Sequence, residues 1–148
     1  MSWLLDTNVI SETAKRNPSP AMLKWVAAQP VDTLYTVSLA IAEIRVGIER
    51  LTDPARKFQL VHWLEQKVRP LFGMRILEPD EEFWMTTLEI LERAKASRRT
   101  LPITDLIFAV AAERYSLVVV TRKVKHFEGS GVRILDPWQI APVVRVCN

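Results

Sequence analysis

Three carboxylates interrupt segments of the sequence that otherwise consist of core residues. They are Asp6 after the apolar residues 3–5, Glu43 within the apolar residues 39–44, and Asp105 before the apolar residues 106–112. A charge on a buried strand or helix is costly unless it is paired or binds a cation. We therefore treat the three acids as candidate functional residues.

A shared pocket for these acids would favour a bound metal ion. Carboxylates a few ångströms apart repel one another, and the pKa of at least one rises unless a cation compensates. Hard oxygen ligands without histidine or cysteine select Mg²⁺ or Mn²⁺ over zinc. Such an ion orients a water molecule, lowers its pKa and stabilises charge on a phosphate during its transfer.

Each acid also has a structural interpretation. Asp6 can cap the helix that follows it, and Glu43 can pair with Arg45 or another basic group. Asp105 can stabilise the N-terminus of a helix beside Thr104, where the helix dipole favours a negative charge. These alternatives stay open at the level of the residues, although all three together would be a coincidence.

Short apolar segments alternate with helical segments along the chain. Strands are predicted at residues 3–5, 33–37, 74–77, 117–120 and 132–135, the last of these being the final strand. Helices are predicted at residues 9–15, 20–28, 38–51, 54–70, 80–96 and 105–115, with N-caps at Ser38 and Thr104. Strands without two-residue periodicity are typical of a parallel sheet buried on both faces. We predict one α/β domain over residues 1–148, with the acids at strand ends and helix starts along one sheet edge, where ligands bind.

Composition sets weaker limits. Twenty Lys and Arg against seventeen Asp and Glu give a net charge of +3, which permits a polyanionic partner without arguing for one. No apolar run approaches the roughly 18 residues that cross a bilayer, so no membrane association is expected. The only cysteine, Cys147, has no partner in the chain, which fits a reducing cytoplasm.

Five segments in order form a recognisable set. They are Leu4-Leu5-Asp6-Thr7-Asn8-Val9-Ile10-Ser11-Glu12, residues 38–47 around Ala42-Glu43-Ile44, Asp105-Leu106-Ile107-Phe108-Ala109, Thr121-Arg122 with His126-Phe127-Glu128, and Asp136-Pro137-Trp138. Together they resemble the PIN-domain ribonucleases, and most closely the VapC-type toxins of bacterial type II toxin–antitoxin pairs. Each motif alone is weak, and the resemblance depends on their joint order and spacing over essentially the whole chain.

The resemblance implies a three-layer α/β/α sandwich on a mostly parallel sheet and Mg²⁺- or Mn²⁺-dependent cleavage of RNA. It implies that Asp6, Glu43 and Asp105 are the catalytic and metal-binding residues, with Asn8 and Thr121 as supporting polar residues. It also implies a homodimer that is silenced by a small VapB-like antitoxin. The antitoxin would supply the contacts to operator DNA.

Lys123 departs from the family pattern, which usually has Asn or Asp after the Thr-Arg pair. An ammonium cannot ligate a metal, and if it points inward it competes with the second ion of a two-metal site. The Lys123 side chain can instead bind the scissile phosphate or point into solvent. The departure motivates an alternative function, that of a catalytically impaired module which binds antitoxin or RNA.

Basic residues in two loops are candidate RNA contacts. They are Arg98, Arg99, Arg122, Lys123 and Lys125, and a solvated surface is the alternative for each. His126 lies near the predicted site, but one histidine does not establish a general base. A phosphohydrolase with an aspartyl nucleophile would need an Asp-x-Asp pair, and the residue at position 8 is Asn.

Overall fold

A computed structural model of the chain describes residues 1–98 and 100–139 and the backbone of residues 144–146. The predicted RNA contact Arg99 and the cysteine Cys147 lie outside the described residues. The strands are β1 (Trp3–Leu5), β2 (Leu34–Val37), β3 (Ile76–Leu77), β4 (Val118–Val120), β5 (Arg133–Leu135) and β6 (Val144–Val146). The helices are α1 (Thr7–Glu12), α2 (Pro20–Ala27), α3 (Ser38–Glu49), α4 (Pro54–Trp63), α5 (Arg69–Phe72), α6 (Glu81–Ala96) and α7 (Ile103–Tyr115).

The strands form one sheet in the order β3-β2-β1-β4-β5-β6. The pairings that join β1 to β5 are all parallel, which confirms the predicted mostly parallel sheet. Strand β6 is antiparallel to β5 and was not predicted, so residues 132–135 are not the final strand. Three residues at a sheet edge have too little side-chain pattern to reveal a strand that forms mainly by backbone pairing.

The chain reverses its direction of travel across the sheet at β1. From β1 it continues to β2 and β3 on one side, and later to β4 and β5 on the other. The carboxyl ends of β1 and β4 therefore flank a topological switch point, where open α/β sheets bind ligands. Asp6 and Thr121 follow these two strands directly, and the Asp6 backbone N–H donates to the Val120 carbonyl at 3.0 Å.

Helices α7 and α3 differ from each other in burial. All residues of α7 from Asp105 to Ala112 are buried, as its uniformly apolar sequence predicts. The prediction that the apolar residues 39–44 of α3 all belong to the core is wrong, because Ala42 is exposed, as are residues 45–47. Its buried residues lie on a single face at helical spacing, because α3 belongs to an outer layer of the α/β/α sandwich: Ala40, Ile41, Ile44 and Ile48.

The predicted N-caps of α3 and α7, Ser38 and Thr104, are both wrong. Helix α3 already includes Ser38, and helix α7 already includes Thr104, so neither side chain is placed to cap. The flanking residues Val37 and Pro102 make no side-chain capping hydrogen bond, and α7 begins when Leu106 N–H donates to the Pro102 carbonyl at 2.9 Å. Within the described residues, no helix is both long and apolar enough to cross a membrane.

Candidate active site

Asp6 is the most highly connected carboxylate of the candidate site. It is 4% exposed and forms the N-cap of α1, where its Oδ1 accepts the Thr7 N–H at 2.7 Å. Its Oδ2 accepts the Thr121 hydroxyl at 2.8 Å and the Asn8 amide at 3.1 Å. Asp6 thus caps α1 as one interpretation predicted, through Oδ1. Its Oδ2 accepts two further hydrogen bonds that take no part in capping the helix.

Thr121 and Asn8 complete this network. The fully buried Thr121 Oγ1 donates to Asp6 and accepts from the Asn8 amide at 3.1 Å and from the Lys123 backbone N–H at 3.0 Å. A hydroxyl has one donor and two acceptor positions, so this one is saturated. The Asn8 Oδ1 accepts the Arg122 backbone N–H at 3.2 Å. The two side chains therefore fix the orientation of the Asp6 carboxylate relative to the loop after β4.

Glu43 joins the same site through Thr7. The Thr7 hydroxyl donates to Glu43 Oε1 at 3.0 Å, while the Thr7 backbone N–H is bound to Asp6. Glu43 is partly buried on the second turn of α3, at the border between its covered and exposed faces. Both Glu43 and Arg45 are described, and they form no ion pair. Among the described residues, Glu43 forms no ion pair with any other basic group either, although the charge of Lys123 acts on it.

The carboxylate of Asp105 contacts the side chain of His126. Asp105 lies in the first turn of α7, with a side chain only 6% exposed, and its Oδ2 lies 2.8 Å from His126 Nδ1. The His126 side chain is 48% exposed. The two residues are 21 positions apart, and their pairing was not predicted from the sequence. The only signal was the proximity of His126 to the Thr121-Arg122 segment, because the pairing depends on how the helical turn Val124–Phe127 folds back onto α7.

Asp6 and Glu43 are affected electrostatically by neighbouring acids. Burial raises the pKa of Asp6, and the neighbouring charge of Asp105 adds to that rise. Burial also raises the pKa of Glu43, with further increases from the charges of Asp6 and Asp105. The ammonium of Lys123 opposes both shifts. The three acids and Lys123 therefore share one electrostatic environment at the switch point.

The donor chemistry of this environment suits a hard divalent cation. Two acids have their pKa raised by burial and by neighbouring acids, and a nearby positive charge relieves both effects. No group of three His, Cys, Asp or Glu side chains among the described residues converges closely enough to hold an ion as it stands. At least one of the three acids would therefore act through a water molecule, which Mg²⁺ commonly retains.

Basic residues line a cleft beside the acids. The cleft has a volume of about 430 Å³ and is lined by Arg122, Lys123, Val124, Lys125, His126, Glu128, Asp136 and Gln139. The Arg122 guanidinium lies over the Trp138 ring, 5.4 Å from its centre. Arg98 follows α6 in a left-handed conformation with φ of 56° and is not among the lining residues. The cleft thus brings together three of the predicted RNA contacts and leaves Arg98 apart.

Comparison with known proteins places this geometry in a family. Residues 3–125 match the family model for the PIN domain. The chain is 33% identical to the VapC ribonuclease Y4jK of Sinorhizobium fredii, an alignment that covers 93% of this chain and 99% of the relative. It is 33% identical to toxin FitB of Neisseria gonorrhoeae, over 91% of this chain and 97% of the relative. The crystal structure of FitAcB from Neisseria gonorrhoeae superposes with a TM-score of 0.88 at 33% identity, over 93% of this chain and 99% of that one.

Proposed function

This chain belongs to the PIN-domain family and, within it, to the VapC- and FitB-type toxins of toxin–antitoxin pairs, and from that membership we propose that it is a Mg²⁺- or Mn²⁺-dependent endoribonuclease. One observation supports the proposal most directly. Asp6, Glu43 and Asp105 share one electrostatic environment at the switch point of the sheet, and burial raises the pKa of the first two. Such a set is costly to fold and gains stability from a cation.

Each acid has a distinct position in the proposed mechanism. Asp6 would be the main metal ligand, because Thr121 and Asn8 hold its carboxylate in a fixed orientation. Asp105 and Glu43 would hold the ion directly or through water. When bound, Mg²⁺ or Mn²⁺ supplies an activated water and charge stabilisation for the phosphodiester. Hydrolysis by water leaves a 5′-phosphate and a 3′-hydroxyl and needs no 2′-hydroxyl as nucleophile.

RNA would approach through the basic cleft. Arg122 and Lys125 are exposed along it and can follow the phosphate backbone, which gives a salt-dependent contribution to affinity. His126 is bound to Asp105 through Nδ1, which leaves its Nε2 as the ring nitrogen available to a substrate. Arg98 would contact parts of the RNA outside this cleft, and a contact by Arg99 stays a prediction from the sequence.

Two protein partners follow from the family. An antitoxin would cover apolar surface near the site, and an apolar pocket of about 260 Å³ fits that role: it is lined by Leu5, Val9, Ile10, Thr13, Val26, Trp63, Lys67, Val68, Leu71 and Phe72. Operator DNA would be bound only through the antitoxin. A second copy of the chain would form a homodimer, and exposed apolar residues on α6 offer surface for a protein contact: Trp84, Met85 and Leu88.

Lys123 supports a second candidate function. Its charge acts directly on Asp6 and Glu43, so it lies where it can oppose metal binding. A chain impaired in this way would act mainly by binding its antitoxin or RNA. The two candidates differ in whether the purified chain cleaves RNA when Mn²⁺ or Mg²⁺ is added.

The decisive experiment measures cleavage of a 5′-labelled single-stranded RNA by the purified chain, with Mn²⁺, Mg²⁺ or EDTA. We expect cleavage only with metal, 5′-phosphate and 3′-hydroxyl product ends, and loss of activity in D6N. D53N is the matched control, because Asp53 also caps a helix, accepting the Ala55 N–H at 3.0 Å, but lies on α4. Undiminished metal-dependent cleavage by D6N would remove Asp6 from the site, and absence of cleavage in the wild type favours the binding module.

A further inference from the structure

A second cleft adjoins the basic cleft beside the acids. It has a volume of about 490 Å³ and is lined by Thr100, Leu101, Pro102, Lys125, His126 and Glu128. The last three of these residues also line the basic cleft, and we call them the shared wall. The two clefts therefore meet at the shared wall, and a ligand that fills one cleft can continue into the other.

The side chain of His126 is fixed where the two clefts meet. Its Nδ1 lies 2.8 Å from Oδ2 of the buried Asp105, and because a carboxylate has no hydrogen to donate, Nδ1 is the donor. The His126 backbone N–H donates to the Lys123 carbonyl at 3.0 Å, and the next residue, Phe127, is fully buried. The imidazole is therefore held through both its ring and its backbone, while the side chain stays 48% exposed.

The second ring nitrogen of His126, Nε2, points away from Asp105. The two nitrogens of an imidazole lie on different sides of the ring, and Nε2 makes no hydrogen bond within the described part of the chain. When the ring is neutral, Nε2 accepts a hydrogen bond, as from the 2′-hydroxyl of a ribose, and when it is protonated, Nε2 donates one, as to a phosphate oxygen. Because every nucleotide within an RNA strand carries both groups, His126 can bind RNA in either protonation state.

The second cleft combines apolar and polar groups. Leu101 is partly buried against the core, Pro102 is exposed beside it, and Thr100 adds a hydroxyl, while Lys125 and Glu128 carry opposite charges. A nucleotide has a matching combination, because its base has apolar faces and its phosphate binds a cation. The volume also lies within the range of roughly 300–1,000 Å³ that is typical of sites for small molecules, so the cleft has room for a nucleotide.

On the basis of the proposed ribonuclease function, we propose that the second cleft is a nucleotide subsite, which the RNA strand reaches from the basic cleft across His126, and that His126 binds the strand through Nε2. The continuity of the two clefts supports this path. A strand that follows Arg122 and Lys125 through the basic cleft arrives at the shared wall. His126 is also bound to Asp105, so one side chain positions the strand relative to a proposed catalytic acid.

The test measures RNA affinity by fluorescence anisotropy with the full-length chain and a labelled single-stranded RNA of about 12 nucleotides, in EDTA so that the RNA is not cleaved. H126N should weaken binding about tenfold, because the asparagine amide can still donate to Asp105 but ends short of the position of Nε2. H62N is the matched control. His62 is an exposed histidine on α4, and its replacement should change the affinity less than about twofold.

A second variant probes the cleft without changing His126. Thr100 lines the second cleft and not the basic cleft, and T100E places a negative charge there, which should weaken RNA binding about tenfold at low salt and less at high salt. T52E is the matched control, because Thr52 is also exposed but follows the end of α3, the helix that begins at the site edge of the sheet and runs away from it. T52E should change the affinity less than about twofold.

The possible results separate this inference from the proposed function. Either variant binding RNA as tightly as its control would overturn the inference, while metal-dependent cleavage by the wild type would still support the nuclease. A wild type that cleaves RNA with Mn²⁺ but does not bind it in EDTA would also overturn the inference alone, whereas absence of both activities would remove the proposed function as well. Because His126 and Thr100 are exposed, both variants should fold normally, and thermal melts check this.

Discussion

Thr121 donates its hydroxyl to Asp6 Oδ2 at 2.8 Å, although the two residues are 115 positions apart in the chain. They meet because β1 and β4 are parallel neighbours whose carboxyl ends stop in register, with Leu5 opposite Val120. Burial raises the pKa of Asp6, and this hydrogen bond is the largest of the contributions that lower it. The contact therefore couples the topology of the sheet to the ionisation of the acid.

Thr121→Val should destabilise the protein more than the loss of one ordinary hydrogen bond. The substitution keeps the shape of the side chain but removes a donor from Asp6 and an acceptor from Asn8 and Lys123. We expect the free energy of unfolding to fall by about 2 kcal/mol, since buried polar groups lose their partners. Chemical denaturation at pH 7.5 in EDTA measures this value.

Thr36→Val is the matched control for that prediction. Thr36 is also fully buried, but its hydroxyl makes a single hydrogen bond, to the Leu5 carbonyl at 2.9 Å. Its replacement should cost about 1 kcal/mol. An equal decrease in the free energy of unfolding for the two substitutions would show that the additional hydrogen bonds of Thr121 contribute no stability.

Glu43→Gln should stabilise the metal-free protein at neutral pH. Burial raises the pKa of Glu43 in the folded state, so ionisation costs the folded chain more than the unfolded chain. The wild type therefore loses stability as the pH rises through the folded pKa, whereas the glutamine variant has no such loss. The free energy of unfolding of E43Q should exceed that of the wild type at pH 7.5, and the difference should disappear below about pH 4.

Glu49→Gln, on the same helix, should behave in the opposite way. The hydrogen bond from Lys57 lowers the pKa of Glu49, so its ionised form stabilises the folded state. The wild type should then be at least as stable as E49Q at neutral pH, and any advantage should be lost as the pH falls through the lowered pKa. Parallel pH profiles for E43Q and E49Q would contradict the assigned environments.

Most of the fold follows from local patterns in the sequence. The apolar strands β1 and β4 and the uniformly apolar helix α7 lie close to their predicted bounds, because their burial leaves a pattern in the sequence itself. The strand β6 was missed, and the N-caps of α3 and α7 were misplaced. Edge pairing and uncapped helix starts depend on the backbone and its neighbours, so they leave little trace in residue types.

The site could be predicted only in part. The acids were visible because a charge within an apolar segment needs a reason, and a parallel sheet collects strand ends at one edge. The pairing of Asp105 with His126 and the hydroxyl of Thr7 that links Asp6 to Glu43 were not visible. Both depend on the path of a loop or on one rotamer, which residue spacing does not determine.

Arg122→Gln should weaken RNA binding and its dependence on salt. Arg122 is exposed at the cleft and held in place by its contact with Trp138, so it is preorganised to meet a phosphate. Loss of one phosphate contact should reduce the slope of log affinity against log salt by about 1. Fluorescence anisotropy with D6N as background measures binding without cleavage. R133Q is the control, because Arg133 lies at the amino end of β5, whereas the site lies beyond the carboxyl ends of the strands. An equal effect of R133Q would show that RNA affinity depends on the total positive charge of the chain and not on the cleft.

Mn²⁺ should raise the melting temperature of the chain in a pH-dependent way. An ion that binds only the folded state at 100 times its dissociation constant contributes about 2.7 kcal/mol, which corresponds to a shift of roughly 5–10 °C for a domain of this size. Burial raises the pKa of Asp6 and Glu43, so protons compete with the metal for these carboxylates at higher pH than usual. The shift should therefore be large at pH 7.5 and smaller at pH 5, retained in D53N and absent in D6N. A shift of equal size at both pH values would mean that Mn²⁺ stabilises the chain elsewhere, since a site formed by these two acids must lose its ion as they take up protons.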